Sequence, residues 1–136
     1  MQKSDPVDTV TKLFYFLDER RYQDILALFV PDGKWLRKDK WRIGRDDILA
    51  SLNERPATQI VRHVITNTHV ESKTEDRVTV RAYMLSYTFD DGSMHPLPVD
   101  LAGPSKLFVL ESDVMRVDDV WKIVSQSSHV EFNFRK

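Results

Sequence analysis

Val7, Val10, Phe14 and Leu17 recur at intervals of three and four, which lays one apolar stripe along a helix running through SDPVDTVTKLFYFLDER. Ser4 or Asp5 supplies its N-cap, Pro6 sits where a missing N–H costs nothing, and Asp8 lies in the positively polarised first turn. Tyr22, Ile25, Leu26 and Phe29 form a similar stripe in RYQDILALF and predict a second, shorter helix ended by the turn residues Pro31, Asp32 and Gly33. KWLRK (34–38) and KWRIG (40–44) alternate apolar with basic residues, the pattern of a hairpin of two modest strands. Past Gly44, RDDILASLNERP predicts a third helix with Ile48, Leu49 and Leu52 inward, Asp46 and Asp47 near its start and Pro56 as its stop.

From there the period changes from helical to strand-like. Residues 59–71, 77–89, 105–117 and 120–134 are rich in Val, Ile, Thr, Tyr and Phe and predict four long antiparallel strands. The Pro-rich piece from His95 to Pro104 reads as a mobile loop. Helices first and a sheet afterwards is the α+β order. Three amphipathic helices on a curved sheet would close a cone with one open end, and such a cone makes a pocket.

Length and charge narrow the function. The 136 residues suit one domain spanning the whole chain, and 41% hydrophobic content is enough for a core. Lys and Arg total 20 against 21 acidic residues, with no basic stripe interleaved with aromatics, so nucleic acid is not an expected partner. The absence of cysteine removes disulfide and thiolate chemistry and fits a reducing compartment. No segment reaches the ~18 apolar residues of a membrane span, so the expectation is a cytoplasmic protein without membrane contact. With only 4 glycines there is no phosphate-cradling loop, and no G-x-S-x-G elbow for a serine nucleophile.

The candidate chemistry lies in IVRHVITNTHVE, residues 60–71. Unless a bulge intervenes, alternation puts Val61, His63, Ile65, Asn67 and His69 on one strand face. Aliphatics interspersed with a few orienting polar groups suit a small-molecule pocket; a half-buried, satisfied histidine at a sheet edge is the competing reading of His63. As acid or base, His63 needs a carboxylate to fix its tautomer, and Asp18 is the candidate. Asp18 ends the first helix, where a negative charge gains nothing from the helix dipole; equally, it opens the charged run DERR, which suits a solvated helix end. Phe14, Trp35, Trp41, Tyr83 and Tyr87 are spread over elements that would surround the cone, where they could clamp a flat ligand or serve as core or dimer surface. His63 with His69, or His129 with Glu131, offers two metal ligands but no third at suitable spacing, so neither metal nor cofactor is expected.

The segments FYFLDERRYQDILALFVPDGKW, GRDDILASL, RHVITN and VWKIV resemble, in order, landmarks of the nuclear transport factor 2-like superfamily, in particular its SnoaL-like branch. The resemblance covers nearly the whole chain. It implies a cone-shaped α+β barrel of cystatin-like type, with three N-terminal helices on a strongly curved, mainly antiparallel mixed sheet, and often a homodimer through the outer sheet face. The superfamily includes scytalone dehydratase, ketosteroid isomerase, limonene epoxide hydrolase, polyketide cyclases, non-catalytic dioxygenase subunits and transport adaptors. Asp18 and His63 match the Asp and His of the dehydratase pattern, whereas Leu17 stands where that pattern has Tyr, and its second histidine has no counterpart near Tyr83–Tyr87. Leu13 and Arg37 stand where ketosteroid isomerase-like members carry their Tyr and Asp. The resulting expectation is an acid–base enzyme, of dehydratase, isomerase or cyclase type, acting on a largely apolar oxygenated molecule. In it His63 and Asp18 are catalytic, and Phe14, Trp35, Asn67, Tyr83 and Tyr87 line the pocket. The alternative is a non-catalytic ligand-binding or accessory protein of the same fold.

Overall fold

The computed structural model describes residues 5–135, so Ser4 lies outside it. Helix α1 (Pro6–Asp18) is capped by Asp5, whose carboxylate accepts the Val7 N–H at 2.8 Å. Its other end closes with Arg20 in the left-handed region (φ 59°). The Arg21 N–H then reaches the Phe16 carbonyl at 2.8 Å, and the Arg20 N–H the Leu17 carbonyl at 3.2 Å. Asp18 is thereby held in the last turn of a firmly ended helix. Helix α2 (Tyr22–Leu28) runs directly into strand β1 (Phe29–Arg37), which pairs with β2 (Lys40–Ile43).

Pro31, Asp32 and Gly33 lie inside β1 rather than in a separating turn. They form an irregularity between Phe29 and Lys34 that lets β1 run parallel to strand β6 (Val120–Asn133). A Cβ on Gly33 would sit 2.9 Å from the Phe29 ring and 3.0 Å from the Ile123 carbonyl, so the close approach of the two strands requires glycine there. Gly44 (φ 85°) starts helix α3 (Arg45–Asn53), and the Asp47 carboxylate reaches back to the Ile43 N–H at 2.9 Å.

The remaining strands are β3 (Ile60–Thr74), β4 (Arg77–Phe89) and β5 (Lys106–Val117). The six strands form one mixed sheet in the order β2-β1-β6-β5-β4-β3, antiparallel except where β1 meets β6. Lys38 with Asp39, and Asp118 with Asp119, all have positive φ, as two-residue hairpin turns demand. The helices cover one sheet face. Leu13, Ile25, Ile48 and Leu52 from the helices are fully buried against Val80, Leu110, Val114 and Ile123 from the sheet. The Thr9 hydroxyl adds a buried hydrogen bond to the Trp121 carbonyl at 3.0 Å, tying α1 to β6.

Within β4, Val78, Val80, Ala82, Met84 and Ser86 face the helices and are buried. Alternation therefore puts Arg81, Tyr83, Leu85 and Tyr87 on the outer face. The 90–104 loop brings Leu97, Pro98, Val99 and Leu101 to a groove shared with Tyr87 and Phe89 of that outer face. No helix among the described residues is long and apolar enough to cross a membrane.

Candidate active site

His63 stands opposite Ser86 of β4, so its side chain is on the helix-facing side of the sheet. Asp18, at the end of α1, meets it there. His63 Nδ1 lies 2.5 Å from Asp18 Oδ1, and the His63 backbone N–H donates to Oδ2 at 2.8 Å. Both carboxylate oxygens are thus committed to a single residue, one to its ring and one to its main chain. An ionised carboxylate only accepts, so the ring proton belongs on Nδ1, and in neutral His63 the lone pair is on Nε2. The side chains are 10% and 9% exposed, so solvent competes little for this contact. The amide bond also offsets the unfavourable placement of a negative charge at a helix C-terminus.

Phe14, one turn before Asp18, packs against the imidazole with ring centroids 5.2 Å apart. Trp35 stands edge-on to Phe14 at 6.3 Å and stacks on Phe29 at 5.8 Å. These rings fix the far side of the histidine.

The imidazole lines a cavity of about 570 Å³ with Leu17, Val61 and Phe108 as its apolar wall. Arg37, Arg55, Gln59, Asp90 and Lys106 also line it. This differs from the expected mostly apolar walls, because the segments after α3 and before β5 bring polar residues to one end of the sheet. A smaller recess of about 170 Å³ shares Leu17, Arg37, His63 and Phe108 with it, and there Phe14 and Trp35 also contribute. Asp18 lines neither, but lies behind the ring in a groove of about 350 Å³ between α1 and β3.

Arg37 is half-buried, and its Nε donates to Ser51 Oγ at 2.6 Å while its guanidinium lies 4.7 Å over the Trp35 ring. Burial, and secondly the Arg55 charge, lower its pKa from the ordinary guanidinium range to about 10, so it stays charged at neutral pH but at a cost. Arg55 donates from Nη1 to the Leu17 carbonyl at 2.8 Å and to the Tyr22 hydroxyl at 3.2 Å.

Of the expected site residues, the structure brings His63, Asp18, Phe14 and Trp35 together. Asn67, Tyr83 and Tyr87 are not part of that group. Asn67 adopts φ 56° in an irregularity between Thr66 and His69, which shifts the alternation by one residue. His69 consequently pairs with Arg81 on the outer face, opposite to His63, and Asn67 lies beside Tyr83 and His69 in an outer groove. Tyr83 is 44% exposed on that face, and Tyr87 faces the 97–101 loop. Arg37 and Arg55 were not anticipated, although Arg37 lies two residues from Trp35 on the same strand and so shares its face.

Three helices on one face of a six-stranded mixed sheet, with a recess on the helix side, define an α+β protein of the nuclear transport factor 2-like, cystatin-like class. The chain belongs to the SnoaL-like domain family, which matches residues 7–126. Among solved structures it is similar to a cystatin-fold protein of unknown function from Nostoc punctiforme (16% identity, TM-score 0.75, covering 92% of this chain and 87% of that one). It is also similar to ActVI-ORFA from Streptomyces coelicolor (17%, 0.73, covering 92% and 93%). A third similarity is to a hexachlorocyclohexane dehydrochlorinase, LinA-type3, from Novosphingobium barchaimii (19%, 0.74, covering 93% and 84%). At these identities the likeness establishes the fold. The comparison with curated proteins gave no match.

Proposed function

We propose that the chain is a small-molecule enzyme of acid–base type, a dehydratase, isomerase or cyclase, in which His63 exchanges a proton with the substrate and Asp18 holds it in register. The observation that carries this is the double engagement of Asp18, at 2.5 Å on the ring and 2.8 Å on the main chain, behind an imidazole that borders a cavity. Neutral His63 takes a proton on Nε2 from a carbon next to an electron-withdrawing group. The imidazolium so formed is neutralised by Asp18. The same Nε2–H then returns the proton, either to a departing hydroxyl, giving water and a double bond, or to another carbon, giving an isomer. Both outcomes balance without an external oxidant or reductant. Positioned proton transfer of this kind supplies about 10²- to 10⁴-fold acceleration. A fold shared with a dehydrochlorinase, an enzyme named for an elimination, supports the reading.

The test is deuterium uptake from heavy water into a panel of hydroxy-ketones and enones, followed by proton NMR. The wild type exchanges at least one of them, and His63→Ala, folded by circular dichroism, does not. Equal exchange by the variant removes His63 from the chemistry. We further propose a homodimer through the outer sheet face, where Val64 is 47% and Tyr83 44% exposed. Light scattering on the intact chain should give twice the 15.9 kDa chain mass, and a mass of one chain contradicts it.

A further inference from the structure

We propose that Arg37 and Arg55 form a subsite for an oxyanion carried by the substrate, so that His63 works on an organic acid rather than on a neutral molecule. The substrate class so assigned rests on the acid–base reading above, because the anion is placed by the cavity that the two arginines share with His63.

Among the described residues, Arg21, Arg42, Arg81 and Arg116 each have a carboxylate oxygen within 4.0 Å, Arg42 among them with only 14% of its side chain exposed. Arg37 and Arg55 are half-buried and, like Arg20 and Arg45, form no ion pair among the described residues; what sets the two apart is the cavity they share with His63. Asp90 is the carboxylate that lines the cavity with them, and it is turned to the Thr58 hydroxyl at 2.7 Å and the Gly92 N–H at 3.0 Å. Each guanidinium is fixed by neutral partners that consume only part of its donors. Ser51 takes Arg37 Nε, with Trp35 beneath the plane, which leaves the Nη1 and Nη2 edge. The Leu17 carbonyl and Tyr22 hydroxyl take Arg55 Nη1, which leaves Nε and Nη2.

Two like charges bordering one cavity repel each other, and an anion between them relieves both the repulsion and the unused donors. Burial already weighs on Arg37, and Arg55 adds to that, so a bound anion would stabilise the fold as well as occupy the site. Lys106 adds an exposed positive charge on the same wall. Leu17, Val61 and Phe108 leave room for a hydrocarbon or aromatic body. A carboxylate in this position also suits the chemistry. When His63 Nε2 removes a proton from the adjacent carbon, the C–H electron pair moves into the carboxylate, where the guanidiniums meet the growing charge.

The experiment is calorimetric titration and thermal unfolding of the intact chain with benzoate, phenyl phosphate and the neutral analogue benzamide. The expected result is that at least one anion binds and raises the unfolding temperature, while benzamide binds at least about tenfold more weakly. Stronger binding of benzoate assigns a carboxylic acid, and stronger binding of phenyl phosphate assigns a phosphate ester. Arg55→Gln and Arg37→Gln should each weaken the anion at least about tenfold and leave benzamide unchanged. Should Arg37→Gln fail to fold, Arg37→Lys keeps the charge but loses the planar fork, and a several-fold loss of affinity is expected. Equal binding of anion and benzamide, or unaltered anion affinity in Arg55→Gln together with a folded Arg37 variant, overturns the subsite. His63→Ala separates the two ideas: it retains anion binding if the subsite is right, even where loss of proton exchange is not observed.

Discussion

The two halves of strand β3 each carry one histidine but differ in composition and burial: IVRHVI at 60–65 has four aliphatics in six positions, TNTHVESKT at 66–74 one in nine. Residues 60–65 lie beneath α1, and Val61, His63 and Ile65 alternate inward toward the helices. Beyond the irregularity at Asn67 the strand pairs on to Thr74, but residues 66–74 are all exposed. In the first half, burial forces register, because a slip by one would expose Val61 and put Arg62 in the core. In the second half nothing is buried on either side, so an extra residue is tolerated and the face bearing polar groups reverses. His69, six positions from His63, therefore sits exposed on the opposite face of the sheet. What makes His63 a candidate for the proposed chemistry is the wall opposite it, a helix end that brings a carboxylate, rather than its strand.

The largest effect is expected at the carboxylate. In Asp18→Asn, the amide oxygen would keep the His63 main-chain bond, and the NH2 would then face Nδ1 and force the ring proton onto Nε2. The expected outcome is a loss of deuterium exchange of about 10²-fold or more with the fold intact. A smaller effect is expected from Ile65→Ala in the buried half, which should cost about 1–3 kcal/mol in urea unfolding, the lower part of the core range because Ile65 is half-buried. Val70→Ala, in the exposed half, should stay within about 0.5 kcal/mol. At the junction, Asn67→Val puts a β-branched residue at φ 56° and should cost about 1–2 kcal/mol, whereas Asn67→Gly should not destabilise. The smallest effects are expected at Tyr83→Phe and Tyr87→Phe, which should leave proton exchange at the wild-type rate. A large loss there would return the outer tyrosines to the site.

Much of the scaffold was legible because it rests on local rules. The stripe of Val10, Phe14 and Leu17, a cap at Ser4 or Asp5 that falls to Asp5, and the hairpin of KWLRK with KWRIG each follow from geometry within a few positions. Pro31-Asp32-Gly33 was misread as a full stop, since turn chemistry does not distinguish a loop from a bulge that lets two strands meet in parallel. His63 and Asp18 are 45 positions apart, and only the family resemblance and the odd placement of an aspartate at a helix end joined them. Tyr83 and Tyr87 share one face by alternation, but alternation carries no label saying which face meets the helices. Arg37 entered only as the residue standing where isomerase-like members carry an Asp, because an alternating basic hairpin carries no site signal of its own, although its shared parity with the buried Trp35 was available.

In the proposed mechanism Asp18 fixes the His63 proton on Nδ1 and leaves Nε2 bare. Nitrogen-15 NMR of histidine-labelled protein, at a pH where His63 is neutral, reads this directly. The prediction is a protonated Nδ1 and an unprotonated Nε2 for His63, reversed in Asp18→Asn. A wild-type ring protonated on Nε2, or a tautomer that does not change when Asp18 is replaced, would contradict it.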